Sequence, residues 1–329
     1  MANIAFLGEP RTSQNLLPSF LLMQEAVNAL GYTSTIIDDM YMSPEAIADQ
    51  YDLAVNLCTR TYYKSRAVNL LKGWKCDLKV GNAEYGQWIA QVGSPLRTLA
   101  RYRTLEEIPA GPFYVKNIRG IKFGPLGYAR YESVAEFTER VGTANMPQVL
   151  KALSDGVLVV QEVIPDNATY TRGVVLSTGQ DASIMAIYSN VGYSPLNNRD
   201  SKDGDADVVA TAAPADTTKL CANLTMPFVG DMEWINYGKG DTLLEINTRI
   251  PRTTGLSTYL LFGPDVYKNW MDCTVNRKPW TPKAAHASVT IRATRDADKA
   301  KADGFIPVPF GDIVPTGPNG RRSPLYYKV

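Results

Sequence analysis

The stretch that most constrains the fold of this chain is Asp231 to Thr258, DMEWINYGKGDTLLEINTRIPRTTGLST. Met232 to Asn236 and Thr242 to Asn247 have the composition of strands. The polar, glycine-bearing segment between them is typical of a chain reversal, so the stretch predicts a β-hairpin.

Three oxygen-bearing side chains are expected to converge on this hairpin. Alternate residues of a strand share a face, so Glu245 and Asn247 lie on one face, and Glu233 of the partner strand can join them. Carboxylates held close repel each other and raise each other's pKa, unless a cation lies between them. An all-oxygen ligand set suits Mg²⁺. The alternative is a hairpin whose charges are simply solvated, and the hairpin alone does not decide between the two.

Composition excludes several classes of function. A chain of 329 residues with 45% hydrophobic and 20% charged residues has room for two or three globular domains or lobes. A net charge of +1 gives no electrostatic case for binding nucleic acid or an anionic membrane. The single histidine, His286, argues against a Ser-His-Asp or Cys-His hydrolase and rules out a His-rich zinc site.

The predicted location of the protein is the cytoplasm. No apolar run approaches the length of a membrane span, and the N-terminal MANIAFLGEP lacks the pattern of a secretory signal. The cysteines form no C-x-x-C pair and are expected to be reduced, packed thiols; they are Cys58, Cys76, Cys221 and Cys273.

The first 80 or so residues alternate between strand and helix patterns, which predicts a small parallel α/β domain. Neither G-x-G-x-x-G nor G-x-x-x-x-G-K-[ST] occurs in the chain. The expected strands are Asn3–Leu7, Thr33–Ile37, Leu53–Leu57 and Leu78–Val80, and the expected helices are Pro18–Leu30, a helix beginning at Ser43-Pro44-Glu45, and Ala67–Leu71.

The middle of the chain carries a second candidate site. Phe113 to Lys116 is strand-like and leads into Asn117 to Gly124, a basic loop with two glycines. A lysine on a strand beside such a loop is a plausible phosphate-binding arrangement, and an edge strand with an exposed lysine is the alternative. The remaining expectations are helices at Asn82–Val92, Ser133–Val141 and Pro214–Leu224, strands at Gly156–Ile164, Thr171–Ser177, Ala182–Tyr188 and Ser288–Ala293, a solvated loop at Asn197–Asp207, and a loop-rich tail at Gly304–Val329.

The order of these features resembles the ATP-grasp superfamily. A small α/β domain is followed by a Y-V-K strand with a glycine-containing loop, a helix, a strand ending in Q-E-V-I-P, and a hairpin ending in L-L-E-I-N-T-R. The branch that contains biotin carboxylase and carbamoyl-phosphate synthetase is the most similar. The resemblance implies an α/β (α+β) fold with an N-terminal Rossmann-like parallel-sheet domain (1–95), followed by a small lobe (96–165) and a C-terminal lobe (166–329) that enclose the nucleotide.

The resemblance also implies roles for individual residues, with ATP and Mg²⁺ as cofactors. Lys116, with Arg119 in the following loop, would hold phosphates, and Arg249 would lie near the transferred phosphoryl group. The Mg²⁺ ligands would be Glu233, Glu245 and Asn247, with Asp231 as a rival to Glu233. Adenine would lie against the hinge formed by Gln161, Glu162, Val163 and Ile164, and ribose near Asp166.

The chain departs from the family pattern before the strand lysine and in the loop Asn117–Gly124, which is usually richer in small residues. Asn82-Ala83-Glu84 stands where an Asp-Lys pair with a second phosphate-binding lysine is usual, and Arg97 or Arg101 is a candidate replacement. The resemblance implies a Mg²⁺-dependent ligase that activates a carboxylate as an acyl phosphate for attack by an amine. The alternatives are a carboxylase or small-molecule kinase of the same fold, or an inactive nucleotide-binding protein. The implied partners are small-molecule carboxylate and amine substrates, with no nucleic acid or membrane, and a homodimer is common in such enzymes.

Overall fold

The strands in the described part of the chain form three sheets. The structure, a computed structural model, describes residues 1–7, 17–37, 49–56, 69–71, 97–98, 101–117, 129–155, 158–164, 168–178, 182–189, 204–209, 227–236, 241–247, 252–280, 282–310 and 324–329. The predicted helices at Ser43, Asn82–Val92 and Pro214–Leu224 and the strand at Leu78–Val80 lie outside these residues.

The N-terminal sheet has four strands in the order β2-β1-β3-β4. β1 is parallel to β2 and β3, as the alternating pattern predicted, and β4 is antiparallel to β3. The helix α1 joins β1 to β2. The bounds are β1 (Asn3–Leu7), α1 (Leu17–Ala29), β2 (Thr33–Ile37), β3 (Leu53–Asn56) and β4 (Asn69–Leu71).

The prediction of a helix over Ala67–Leu71 is wrong. Asn69 to Leu71 form β4, whose residues pair with Val55, Ala54 and Leu53. A segment this short has a weak intrinsic preference, and pairing along the edge of an existing sheet outweighs it.

A second four-stranded sheet forms the small lobe, in the order β6-β9-β7-β8. Two helices cover one face of it, with Phe113, Val115, Phe137, Leu153 and Val160 in a common core. The predicted helix at Ser133–Val141 is confirmed, and Ser133 is its N-cap, because Ser133 Oγ accepts a hydrogen bond of 3.1 Å from the Glu136 N–H. The bounds are β6 (Arg101–Tyr102), β7 (Phe113–Asn117), β8 (Ala129–Tyr131), α2 (Val134–Val141), α3 (Met146–Ser154) and β9 (Leu158–Glu162).

The third sheet has nine strands in the order β16-β17-β15-β12-β11-β10-β13-β14-β5. All neighbours are antiparallel except β14 and β5, which are parallel. The bounds are β5 (Arg97–Thr98), β10 (Thr169–Thr178), β11 (Ala182–Ser189), β12 (Gly204–Val209), β13 (Pro227–Asn236), β14 (Asp241–Asn247), β15 (Ser288–Ala293), β16 (Ile306–Pro307) and β17 (Leu325–Lys328).

Two loop predictions in this sheet are partly wrong. The end of the predicted loop Asn197–Asp207 belongs to β12, where Asp205 lies opposite Arg292 of β15. Pairing with β11 on one side and β15 on the other outweighs the low strand propensity of aspartate. The predicted loop-rich tail contains β16 and β17, which extend the sheet beyond β15.

One hydrophobic core joins the N-terminal sheet to the large sheet. It contains Ile4 and Phe6 of β1 together with Val174 of β10 and residues of α4 (Arg252–Phe262) and α5 (Val266–Val275). The remaining helix, α6 (Ala297–Ala302), begins at an Asp296 cap. The shared core fixes the N-terminal sheet against the large sheet.

Trp270 attaches α5 to the large sheet. Its side chain is fully buried, and Nε1 donates a hydrogen bond of 2.8 Å to the Ser177 carbonyl of β10. Tyr267, one turn earlier, donates through its hydroxyl to the Gly255 carbonyl of α4 at 2.6 Å. The Trp270 bond therefore attaches α5 to β10, the strand that pairs with β13 of the hairpin.

The described part of the chain contains no helix that is both long enough and apolar enough to cross a membrane. Of the four cysteines, Cys273 lies within the described residues, where it is a free thiol. Burial raises the pKa of the Cys273 thiol, as expected of a packed, reduced cysteine.

The contacts of Trp270 give a stability prediction. Trp270→Phe keeps an aromatic ring but removes the donor to the buried Ser177 carbonyl, so we expect the free energy of unfolding to fall by about 1–3 kcal/mol. Urea unfolding followed by circular dichroism measures the change.

Thr274→Val on the same helix is the matched control. Thr274 Oγ1 is buried and has no hydrogen-bond partner among the described residues, so its removal is expected to leave stability equal or slightly higher. Equal losses in the two variants would contradict the role given to the Trp270 hydrogen bond.

Candidate functional site

The hairpin β13–β14 places its acidic residues opposite one another. Glu233 pairs with Glu245, Met232 with Ile246, and Asp231 with Asn247. Residues directly opposite in an antiparallel pair share a face, with Cβ atoms about 4.5–5.5 Å apart. Two adjacent rows on one face of the hairpin therefore carry three carboxylates and one amide.

A β-bulge lies immediately before Glu245. Glu233 pairs with Glu245, but the next residue, Trp234, pairs with Leu243, so Leu244 is the extra residue of β14. Glu233 and Trp234 are consecutive on β13, so they belong to opposite faces of the sheet. Their partners Glu245 and Leu243 therefore also belong to opposite faces, although they are two residues apart on β14. Strict alternation along the sequence would have put Leu243 on the acidic face.

The register bears on which acid is the first metal ligand. Glu233 and Asp231 both belong to the acidic face, but Glu233 alone lies opposite Glu245, and Asp231 lies opposite Asn247. The set of donors consists entirely of oxygens, which fits Mg²⁺ and not a soft metal. The residues present thus fit the implied metal, and their role as its ligands stays a prediction.

The acidic face continues a buried apolar face. On β10, Val174 pairs with Asp231 and Leu176 pairs with Val229. Val174, Leu176 and Val229 are buried in the core that α4 and α5 also line. The carboxylate rows therefore adjoin the apolar part of the same face.

A further residue that the sequence did not single out stands in the Glu233 row. Arg172 of β10 pairs with Glu233, on the side of β13 away from Glu245. The run T-R-G-V-V-L-S shows that Arg172 belongs to a strand, but no local signal identifies its partner strand.

The small-lobe sheet gathers the predicted nucleotide residues on one face. Gln161 of β9 lies between Arg101 of β6 and Tyr114 of β7, and Lys116 lies opposite Val159 in the next row of that face. Their neighbours in sequence, such as Val115 and Val160, form the buried core with α2 and α3. Lys116, Gln161 and Arg101 therefore share the face turned away from that core.

The structure separates Gln161 from Glu162. Glu162 pairs with Phe113 and so belongs to the opposite face, the one covered by the helices. Burial and the Glu162 charge together raise the pKa of the Tyr102 hydroxyl, which places Glu162 near Tyr102. Gln161 is only 4% exposed, whereas Glu162, Val163 and Ile164 are half-buried.

The two candidate replacements for the missing lysine occupy different sheets. Arg97 is on β5, where it pairs with Thr242 at the edge of the large sheet. Arg101 is on β6, beside Gln161 and on the face that carries Lys116. Of the two, Arg101 alone belongs to the small-lobe face. The chain passes from one sheet to the other between Thr98 and Arg101.

Several predicted positions lie outside the described residues. They are Asn82-Ala83-Glu84, Arg119, Asp166 and Arg249. The boundaries proposed for the three domains, 1–95, 96–165 and 166–329, stay predictions.

The acidic rows predict weak binding of a divalent cation. A titration with MgCl₂, against NaCl at matched ionic strength, is expected to raise the melting temperature of the wild-type protein to a plateau. Glu245→Gln removes one charge at nearly constant shape and should abolish this rise. A plateau of the same height in both proteins would place the cation away from the hairpin.

Comparisons with known proteins find similar folds but no similar sequence. A scan against protein-family models gives no match, and no curated protein has a significantly similar sequence. Solved structures do match. N5-carboxyaminoimidazole ribonucleotide synthetase from Thermus thermophilus superposes with a TM-score of 0.60 at 14% identity, over 98% of this chain and 92% of that chain.

Two further structures agree with this result. L-amino acid ligase from Bacillus licheniformis gives a TM-score of 0.57 at 13% identity, over 100% of this chain and 93% of the other. N5-carboxyaminoimidazole synthetase from Staphylococcus aureus, complexed with ADP, gives 0.59 at 11% identity, over 99% and 92%. At such low identity the likeness shows a common fold, and it extends over nearly the whole chain.

Proposed function

This chain has the ATP-grasp fold, and from that premise we propose that it is a Mg²⁺-dependent ligase that uses ATP to join a small-molecule carboxylate to an amine. The observation that carries the proposal is the register of β13 and β14, with Glu233 opposite Glu245 and Asp231 opposite Asn247. Like charges opposite each other in a strand pair repel unless a cation offsets them, and Mg²⁺ in proteins is usually bound by one or two carboxylates together with substrate phosphates.

The nucleotide is proposed to lie between the small-lobe face and the hairpin. Lys116 and Arg101 supply positive charge on that face, and Gln161 supplies an amide between them and Tyr114. Lys116 and Arg101 are two strands apart across the sheet and two residues apart along it, so their Cα atoms are about 12 Å apart. At this distance both long side chains can reach the same polyphosphate. The bound ADP of the Staphylococcus aureus protein supports a nucleotide in this fold.

Glu233, Glu245 and Asn247 are the residues proposed to hold Mg²⁺, with Asp231 next to them on the same face. When bound, Mg²⁺ offsets the charge of the phosphate oxygens and acts as a Lewis acid. The Asn247 amide oxygen would be the third ligand, and because it is neutral it adds no negative charge to those of Glu233 and Glu245.

The proposed reaction has two steps. A carboxylate oxygen of the substrate attacks the γ-phosphorus of ATP, and the bond between that phosphorus and the β,γ-bridging oxygen breaks. The products of this step are ADP and an acyl phosphate. An amine then attacks the acyl carbon, phosphate leaves, and the nitrogen loses a proton. Lys116 and Arg249 are proposed to stabilise charge on the transferred phosphoryl group, a contribution of typically about 3–4 kcal/mol for one such group.

Product analysis separates this reaction from its relatives of the same fold. A carboxylase would release ADP only with bicarbonate, and a small-molecule kinase would leave a stable phosphorylated product. An inactive nucleotide-binding protein would bind ATP and release no ADP with any substrate. For a ligase, ADP release requires both a carboxylate and an amine, and a panel of amino acids tests this requirement first.

Lys116→Met tests the phosphate-binding role. Removing one charge from the transition state is expected to lower the rate of ADP release by about 10²–10³-fold with the fold retained. Lys151→Met, which removes an exposed lysine of α3 in the same lobe, is the control and should leave the rate unchanged. Equal rates in all three proteins would rule out Lys116 as a phosphate ligand.

Gln161 and Glu162 form a second matched pair because they are adjacent but belong to opposite faces. Gln161→Leu leaves a nucleotide group without its partner, so KM for ATP should rise about tenfold, equivalent to about 1.4 kcal/mol. Glu162→Gln acts on the core face and should change KM less than about twofold. Steady-state ADP release measures both values, and the reverse order would show that Glu162 is the residue facing the nucleotide.

A further inference from the structure

Arg172 stands in one register row with the two glutamates of the hairpin. It pairs with Glu233 across β10–β13, and Glu233 pairs with Glu245 across β13–β14. Directly paired residues share a face, so one row across β10, β13 and β14 contains a cationic residue, Arg172, followed by the two anionic residues Glu233 and Glu245. Strand spacing puts the Arg172 backbone about 5 Å from that of Glu233 and about 10 Å from that of Glu245.

The position of Arg172 is held firmly. β10 is an interior strand, paired with β11 on one side and β13 on the other. The Trp270 indole binds the backbone of the same strand at Ser177. Arg172 therefore keeps its place in the row whether or not a cation is bound.

The row adjoins apolar residues on β10 and sets two like charges opposite each other. The next positions along the same face of β10 are Val174 and Leu176, both fully buried. Like charges directly opposite each other destabilise a strand pair. Without a metal ion, Arg172 is the only cation in this row of β10, β13 and β14.

We propose that Arg172 is a positioning residue that balances Glu233 and Glu245 when no metal is bound, and thereby makes metal binding depend on the nucleotide. Arg172 stabilises the empty hairpin, but its charge also opposes a divalent cation that arrives alone. A cation that arrives with a polyphosphate meets less opposition, since the phosphates attract Arg172. This inference rests on the proposed metal site and adds an order of binding to it.

The test measures Mn²⁺ binding to the full-length protein by electron paramagnetic resonance of the free ion, with and without a non-hydrolysable ATP analogue. Arg172→Met should bind Mn²⁺ alone at least about tenfold more tightly than wild type, because a repulsive charge is gone. The analogue should then strengthen Mn²⁺ binding less in the variant than in wild type. Arg172→Lys keeps the charge and should behave as wild type.

The melting temperature of the metal-free protein gives a second readout that does not need activity. Arg172→Met should melt lower than wild type, and adding Glu245→Gln should recover part of the loss, since the repulsion between the glutamates is then removed. Arg140→Met, which removes an exposed arginine of α2 on the helix-covered side of the small lobe, is the control for charge alone and should match wild type in Mn²⁺ affinity.

The outcomes separate this inference from the proposed function. Mn²⁺ binding that Glu245→Gln abolishes but Arg172→Met leaves unchanged or weakens would overturn the role of Arg172 and keep the metal site. No saturable Mn²⁺ binding with or without the analogue in wild type would overturn both. Tighter binding in Arg172→Met together with a lower metal-free melting temperature is the expected result.

Discussion

The proposed metal site depends on the electrostatic repulsion between two glutamates that lie opposite each other in one strand pair. Glu233 and Glu245 are held opposite each other by β13 and β14, and the bulge at Leu244 keeps Leu243 off their face. A strand pair favours opposite charges or apolar pairs at such positions, so this arrangement costs stability unless a cation offsets it. The carboxylates, the neighbouring amide and the nearby arginine are consistent with a site built around that cation.

The rest of the fold supports this hairpin from both sides. β10 lies beside β13 and is fixed to α5 by Trp270, and one core joins these elements to the N-terminal sheet. β4 of the N-terminal sheet also contacts β13. On the side of β14, the short strand β5 forms the edge of the large sheet, and the next strand, β6, forms the edge of the small-lobe sheet. The two faces that carry the candidate site residues are thus tied together by a few residues of chain.

Strong local patterns were enough to predict much of the fold. Asn3–Leu7, Thr33–Ile37 and Ser288–Ala293 are strands with the predicted bounds, because each is a compact apolar or alternating run. The hairpin was predicted because its composition changes at both strand ends. The separation of twelve residues between Glu233 and Glu245 is compatible with a direct pair, and the register forms that pair.

What the sequence did not predict depends on distant partners. β12 gains its conformation from β15, far along the chain, and β4 and β5 are only three and two residues long, too short for any periodic signal. The bulge at Leu244 breaks the alternation that sequence patterns rely on. The pairing of Arg172 with Glu233 is set by sheet order, which a single strand pattern does not encode.

The most direct measurement is a crystal structure of the protein soaked with Mn²⁺ and a non-hydrolysable ATP analogue, with anomalous data collected to locate the metal. The account predicts an anomalous peak within coordination distance of Glu233 and Glu245, with the triphosphate lying between the hairpin and the Lys116 face of the small lobe. A nucleotide bound with its metal away from both glutamates would contradict the central claim.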